Sequence, residues 1–275
     1  MSLRVLTSIR VPVIQGIVML GLKKLVQDRN PWVRKTVAGG LAKVYEYVHL
    51  DVPELTNSMD SSSLPQLIVL LQTLLASPSP LTLGASLTAF MEICPDRLDL
   101  LHPYYHHIVR LLVDADEWGQ IVALQVITLY ARQMLDKPET AGNVDPSTIS
   151  PAQAKTNGHE SEDEFEGLDS DLAMFLHLAK PLFQSRNPAV ILGMANAYYH
   201  LAPADGIVSQ QLLVTPLLHL AGASHVSARG EETAALAWDV IVSMVEERPV
   251  SMVCFTELIS VAIRLSSKSI LRTRL

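Results

Sequence analysis

An apolar stripe in steps of four and three, begun twice by an Asn-Pro pair, restricts this chain to few folds. Val33, Val37, Leu41, Val44 and Val48 advance by four, four, three and four residues, and Val190, Met194, Ala197 and Leu201 by four, three and four. Side chains at that spacing share one face of an α-helix, so both segments read as amphipathic helices with a buried stripe. Asp28-Arg29-Asn30-Pro31-Trp32-Val33 and Ser185-Arg186-Asn187-Pro188-Ala189-Val190 read as copies of one unit. Each Pro stands in the first helical turn, where its missing N–H costs nothing. Weaker relatives begin near Ser79-Pro80, Glu117-Trp118 and Ser224-His225-Val226. Starts near 30, 80, 118, 187 and 225 are about 38 to 50 residues apart, with one wider gap, the period of helical hairpins. The expected fold is an all-α, HEAT/armadillo-like helical-repeat solenoid, because one hairpin buries its apolar face only by stacking on the next.

The wide gap coincides with a change in composition. Leu135 to Asp171 carries no apolar stripe, and His159 to Asp171 holds seven acidic residues and no basic one. Such a stretch cannot bury enough apolar surface to offset the entropy of ordering, so it is expected to be a disordered insert. Removing about 30 residues restores a spacing near 38. The predicted organisation is a first solenoid part at 1–134, the acidic insert at 135–171, a second solenoid part at 172–249 and a divergent segment at 250–275. Within the insert, Ser161 is followed by Glu162, Asp163 and Glu164, which makes it a candidate for acid-directed phosphorylation.

Composition agrees with helices. Hydrophobic residues make up 49% of the chain but aromatic ones only 5%, and no aromatic or Thr-rich alternating strands appear. Cys94 and Cys254 are far apart, so no disulfide framework or Cys-based metal site is expected and a reducing, cytoplasmic setting fits. The run Val11 to Leu22 is broken by Pro12 and Gln15 and closed by Lys23 and Lys24, and no small-residue cleavage site follows. It reads as a buried helix rather than a leader or a membrane span. Charge is unevenly spread. The net charge is −7, yet residues 1–50 set eight Lys or Arg against Asp28 and Glu46, a net +6 that leaves −13 for the rest. Lys23, Lys24, Arg29, Arg34 and Lys35 are therefore candidate contacts for an anionic partner or membrane surface, although a solvated helix face explains them as simply.

Catalytic and cofactor constellations do not assemble. Gly16 and Gly21 have phosphate-loop spacing, but Leu22 stands where Lys is required. His102 and His106 lie one helical turn apart beside His107 without a third ligand, and a helix start near Pro103 accounts for them. Asp114, Asp116 and Glu117 read as helix-start acids that compensate the dipole, and Gly84-Ala85-Ser86-Leu87-Thr88 lacks the second Gly of a nucleophile elbow. Basic residues without interleaved aromatics give no nucleic-acid signature. No catalytic residue, metal ligand or cofactor is assigned.

Several blocks resemble one family. Arg10-Val11-Pro12-Val13-Ile14, Pro31-Trp32-Val33-Arg34-Lys35-Thr36-Val37-Ala38 and Cys94-Pro95-Asp96-Arg97-Leu98-Asp99-Leu100-Leu101-His102 are similar to the β-adaptin trunk. So is Leu111 to Ile121, whose core is Glu117-Trp118-Gly119-Gln120. The Cys94-Pro95-Asp96-Arg97 block, the acidic insert and Pro181 to Asn187 resemble the β large subunit of adaptor protein complex 3. The likeness runs from about residue 3 to 203 and thins from Gly206 onward, and it implies a fragment of such a subunit. It further implies a non-enzymatic scaffold in a heterotetramer with a second large, a medium and a small subunit. That assembly works in vesicle-mediated protein transport from Golgi or endosomal membranes toward lysosome- or vacuole-like organelles, with Arf-family GTPase and peripheral membrane contacts. The two signature blocks are expected to be structural, Trp118 by burying its indole and Gly119 by admitting a neighbouring helix. A nuclear transport receptor or phosphatase scaffold is the other repeat-protein reading, and the same blocks argue against it.

Overall fold

Asn30 and Asn187 do the same work at two helix starts. Each is extended, and its side-chain oxygen accepts from the backbone N–H two residues on, Trp32 at 3.0 Å and Ala189 at 3.0 Å. Pro at the next position already has a helical φ and no donor to satisfy, so cap and proline together fix the start.

The computed structural model describes residues 2–47, 63–135, 168–202, 213, 215–217, 219–221 and 228–247, which form helices and no strand. They are α1 (Ser2–Leu6), α2 (Gln15–Leu25), α3 (Pro31–Glu46), α4 (Ser63–Leu75), α5 (Pro80–Ile93), α6 (Tyr105–Leu112), α7 (Glu117–Met134), α8 (Ser170–Ala179), α9 (Pro188–Leu201) and α10 (Ala228–Glu247). Short 3-10 turns span Pro12–Ile14, Leu98–Tyr104 and Lys180–Gln184. Helices begin at 31, 80, 117, 188 and 228, within a few residues of every repeat start in the sequence. The class is the all-α, HEAT/armadillo-like helical repeat. Two compact units divide the chain, Met1–Tyr130 and Ala131–Leu275.

In the first unit α3 packs most extensively on α5, and α4 packs on both. Small residues are frequent among the buried positions of both helices, Ala38, Gly40 and Ala42 on α3 and Gly84, Ser86 and Ala89 on α5. Around them, Leu67, Leu70, Leu71 and Leu74 of α4 follow the three-four spacing of one helical face, as do Tyr105, Ile108, Val109 and Leu112 of α6. α5 stops where Cys94 precedes Pro95: Cys94 leaves helical geometry at φ −147°, ψ 62°, because the proline ring disfavours the helical region for the residue before it.

In the second unit Asp169 caps α8 by accepting from the Asp171 N–H at 2.9 Å. α9 then buries Val190, Met194, Ala197, Tyr198 and Leu201. Tyr198 donates its hydroxyl to the Leu176 carbonyl on α8, and its ring meets Phe183 edge-on at 5.0 Å.

Three expectations need correction. Val37, Leu41 and Val44 are buried, but Val33 is only half-buried, since it sits in the first turn of α3; Val48 lies outside the described residues. The segment 11–22 is not a buried helix: a 3-10 turn precedes α2, and Val11, Val13, Ile17 and Leu20 are exposed. The acidic stretch ending at Asp171 does not all lie outside helix, because Ser170 and Asp171 form the start of α8.

Candidate interaction surfaces

The basic set near the start of the chain divides by what each side chain already holds. Arg34 is half-buried and donates through Nη1 to the Asp28 carbonyl at 2.6 Å and the Arg29 carbonyl at 3.2 Å, bracing the loop before α3. Lys35 forms a 3.1 Å ion pair with Asp116 and lies 6.0 Å from the centre of the Trp32 ring. Lys23 and Lys24, in the last turn of α2, and Arg29 are exposed. The five therefore form no single patch of available charge: Arg34 is structural, and Lys35 is shared with a carboxylate.

Lys35 opens instead onto a cleft of about 390 Å³ that the sequence did not reveal. Trp32, Lys35, Gly39 and Lys43 line it from α3, Arg4 from α1 and Ala85 from α5. Steps of three and four place the α3 residues on one face, away from the buried stripe of Val37, Leu41 and Val44. Trp32 is 63% exposed, although its backbone N–H is tied to the Asn30 cap. Lys43 reaches the Ser8 hydroxyl at 2.9 Å. Gly39 has open space where a side chain would begin, and Gly40 beside it would press on Thr7 and Leu22 at 3.0 and 3.1 Å.

The signature blocks are only partly structural. Cys94 is buried with a free thiol, and burial pushes its pKa up to about 11 against the lowering effect of Arg97. Pro95, Asp96 and Arg97 are exposed. Arg97 pairs with Asp99 at 2.9 Å, a hydrogen bond that holds the Asp99 carboxyl below its ordinary range. The rest of the block is anchored: Leu98 and Leu101 are buried, and His102 Nδ1 lies 2.6 Å from the Tyr130 hydroxyl on α7. His107 is spent differently, with Nε2 at 2.9 Å from the Ser77 carbonyl.

At the second block Gly119 and Gln120 are buried, but Glu117 and Trp118 are not. Trp118 is 76% exposed, which corrects the expectation that its indole is buried. The close approach belongs to glycine backbone: a Cβ on Gly84 would stand 2.5 Å from the Gly119 Cα, and one on Gly119 would stand 2.5 Å from Asp116 Oδ1. Two glycines let α5 and α7 touch, and Trp118, next in sequence, projects outward. Gln120 secures the turn before α7 by donating to the Val113 carbonyl at 3.1 Å.

A further exposed surface is apolar. Val5, Leu6, Ile9, Val11, Val13, Ile17 and Leu20 all lie in the open between residues 5 and 20, with Val13 87% exposed. Among the described residues no cluster of three potential metal ligands occurs, and no helix is long and apolar enough to cross a membrane. Ser161 and Cys254 lie outside the described residues.

Comparison with known proteins gives a consistent family. The model of the adaptin N-terminal region matches residues 1–273. The chain is similar to AP-3 complex subunit beta-2 of Mus musculus, 35% identical over 232 residues, and to AP-3 complex subunit beta-1 of Homo sapiens, 36% identical over 227 residues. Each match covers 77% of this chain, and the chain spans 20% and 19% of those relatives. Among structures, a homology model of the full-length AP-3 complex in an intermediate open conformation aligns with 88% of this chain and 37% of that one, at 23% identity and a TM-score of 0.49.

Proposed function

The chain belongs to the adaptin N-terminal-region family, and from that premise we propose that it is a scaffold subunit of a heterotetrameric vesicle-coat adaptor, without a catalytic step of its own. Its partners in this reading are a medium, a small and a second large adaptor subunit, with an Arf-family GTPase and peripheral membrane contact. The process is vesicle-mediated protein transport from Golgi or endosomal membranes toward lysosome- or vacuole-like organelles. The observation that carries the reading is the row of exposed aliphatic side chains from Val5 to Leu20. Apolar surface concentrated in this way on a folded protein marks a face that another protein covers. Lys23 and Lys24, exposed on α2 three and four residues after Leu20, fit the charged rim that commonly surrounds an apolar contact.

Affinity purification of the tagged chain, co-expressed with medium, small and second large adaptor subunits, tests the proposal. The expected result is co-purification of the medium subunit, lost when Ile17 and Leu20 are both changed to Lys while the helical signal and melting temperature hold. A chain that recovers none of the three subunits, in either form, overturns it.

A further inference from the structure

The cleft beside α3 combines features that a solvated helix face does not need. Its floor is Gly39, where a side chain would meet nothing within 4 Å, so the recess belongs to the fold and is not filled by a neighbour. One wall is Trp32, a large aromatic left 63% exposed. Its charges are Arg4, Lys35 and Lys43; Lys35 is answered by Asp116 at 3.1 Å, Lys43 touches only the neutral Ser8 hydroxyl, and Arg4 has no carboxylate partner among the described residues. Two cations are thus available beside an apolar recess of about 390 Å³, within the range of sites that take a few side chains of a ligand.

We propose that this cleft docks an extended acidic peptide segment of a partner protein, with carboxylates on Arg4 and Lys43 and one apolar side chain over Gly39 against Trp32. Charge complementarity selects the acidic partner, since basic clusters recognise acidic motifs through such pairs. Concavity selects a peptide over a bilayer surface: a flat anionic membrane can meet protruding Arg4 and Lys43 but gains nothing from the glycine floor. The inference stands independently of the adaptor reading, because it rests on residues outside the aliphatic row at Val5 to Leu20.

The test uses the full chain and a fluorescein-labelled peptide of glutamates around one central phenylalanine, followed by fluorescence anisotropy. Binding is expected to saturate and to weaken as salt rises. Gly39→Leu keeps every charge but fills the recess, and it is expected to weaken binding about tenfold or more. Trp32→Ala, at an exposed side chain, is expected to weaken it as well, so that a folding defect in one variant leaves the other decisive. The Arg4→Gln, Lys43→Gln double variant removes the salt-sensitive part. Unchanged peptide affinity in both Gly39→Leu and Trp32→Ala overturns the proposal. So does absence of peptide binding to the native chain; equal retention of the native and Gly39→Leu chains on phosphatidylserine-containing vesicles then marks a membrane-facing basic surface instead.

Discussion

Helices α3 and α9, one from each unit, start with the same cap and bury the same register, yet they present different surfaces. With Asn30 set against Asn187, buried Val37, Ala38, Gly40, Leu41 and Val44 fall on buried Met194, Ala195, Ala197, Tyr198 and Leu201. The cleft positions do not correspond in chemistry: Trp32, Lys35, Gly39 and Lys43 fall on Ala189, Leu192, Asn196 and His200. The inward residues therefore build a general helical frame, and a few outward ones give one helix an aromatic, cationic face that the other lacks. Even the frame is tuned locally. Val190 is buried where Val33 is half-buried, and the aromatic Tyr198 replaces Leu41 and adds a hydrogen bond to Leu176.

Truncating the shared inward position is expected to be the most damaging change. Tyr198→Ala removes a buried ring and its hydrogen bond and is expected to cost about 3–5 kcal/mol, and Leu41→Ala about 2–5 kcal/mol. Chemical denaturation followed by circular dichroism measures both, and an unchanged midpoint in either breaks the equivalence of the two helices. Glycines come next, with opposite signs at two positions. Gly84→Ala forces a methyl against the Gly119 backbone and is expected to cost about 1–3 kcal/mol. Gly39→Ala meets open space on a helix and is expected to stabilise the chain by up to about 1 kcal/mol. Melting curves that move the same way for both would show that Gly39 is packed rather than open.

The caps should weigh less and weigh equally. Asn30→Ala and Asn187→Ala each lose one bond to a helix N–H, at an expected cost of about 1 kcal/mol. A large disparity between them would separate the two starts that the sequence makes alike. The contribution of the Cys94 thiol comes last because it is felt only at alkaline pH. Its pKa, raised from 9.0 to about 11 by burial, means that the folded state holds the proton to higher pH than the unfolded chain. The associated stability is complete below pH 9 and fades as pH rises through 11. In a Cys254→Ser background, thiol alkylation at pH 9 to 10 is expected to be slower in the folded chain than in urea. Equal rates would contradict the burial of Cys94.

The frame was legible because its signals are short-range. Helix periodicity and the Asn-Pro starts are written within a few residues, and helices begin at those starts. The outward surface was less legible, since it is assembled from elements distant in sequence. Lys35 was visible as a positive charge, but its partner Asp116 stands eighty-one residues away. Arg4 and Lys43 gave no reason to be joined until α1 and α3 lay together. Trp118 shows the opposite failure. A large indole beside a small glycine reads as packing in either direction, and only the Gly84–Gly119 contact assigns the close approach to backbone and leaves the ring outside. Likewise the run Val11 to Leu22 carries enough apolar residues for a buried helix, but composition alone does not say whether the covering surface belongs to the same chain.

Recognition laid over a general helical frame has a signature in hydrogen exchange read by mass spectrometry. The full chain is compared alone and in complex with a medium adaptor subunit. New protection is expected across residues 5–20, while amides of 37–44 and 194–201 exchange as before. Unchanged exchange at 5–20, with protection gained only within those two buried stretches, would contradict it.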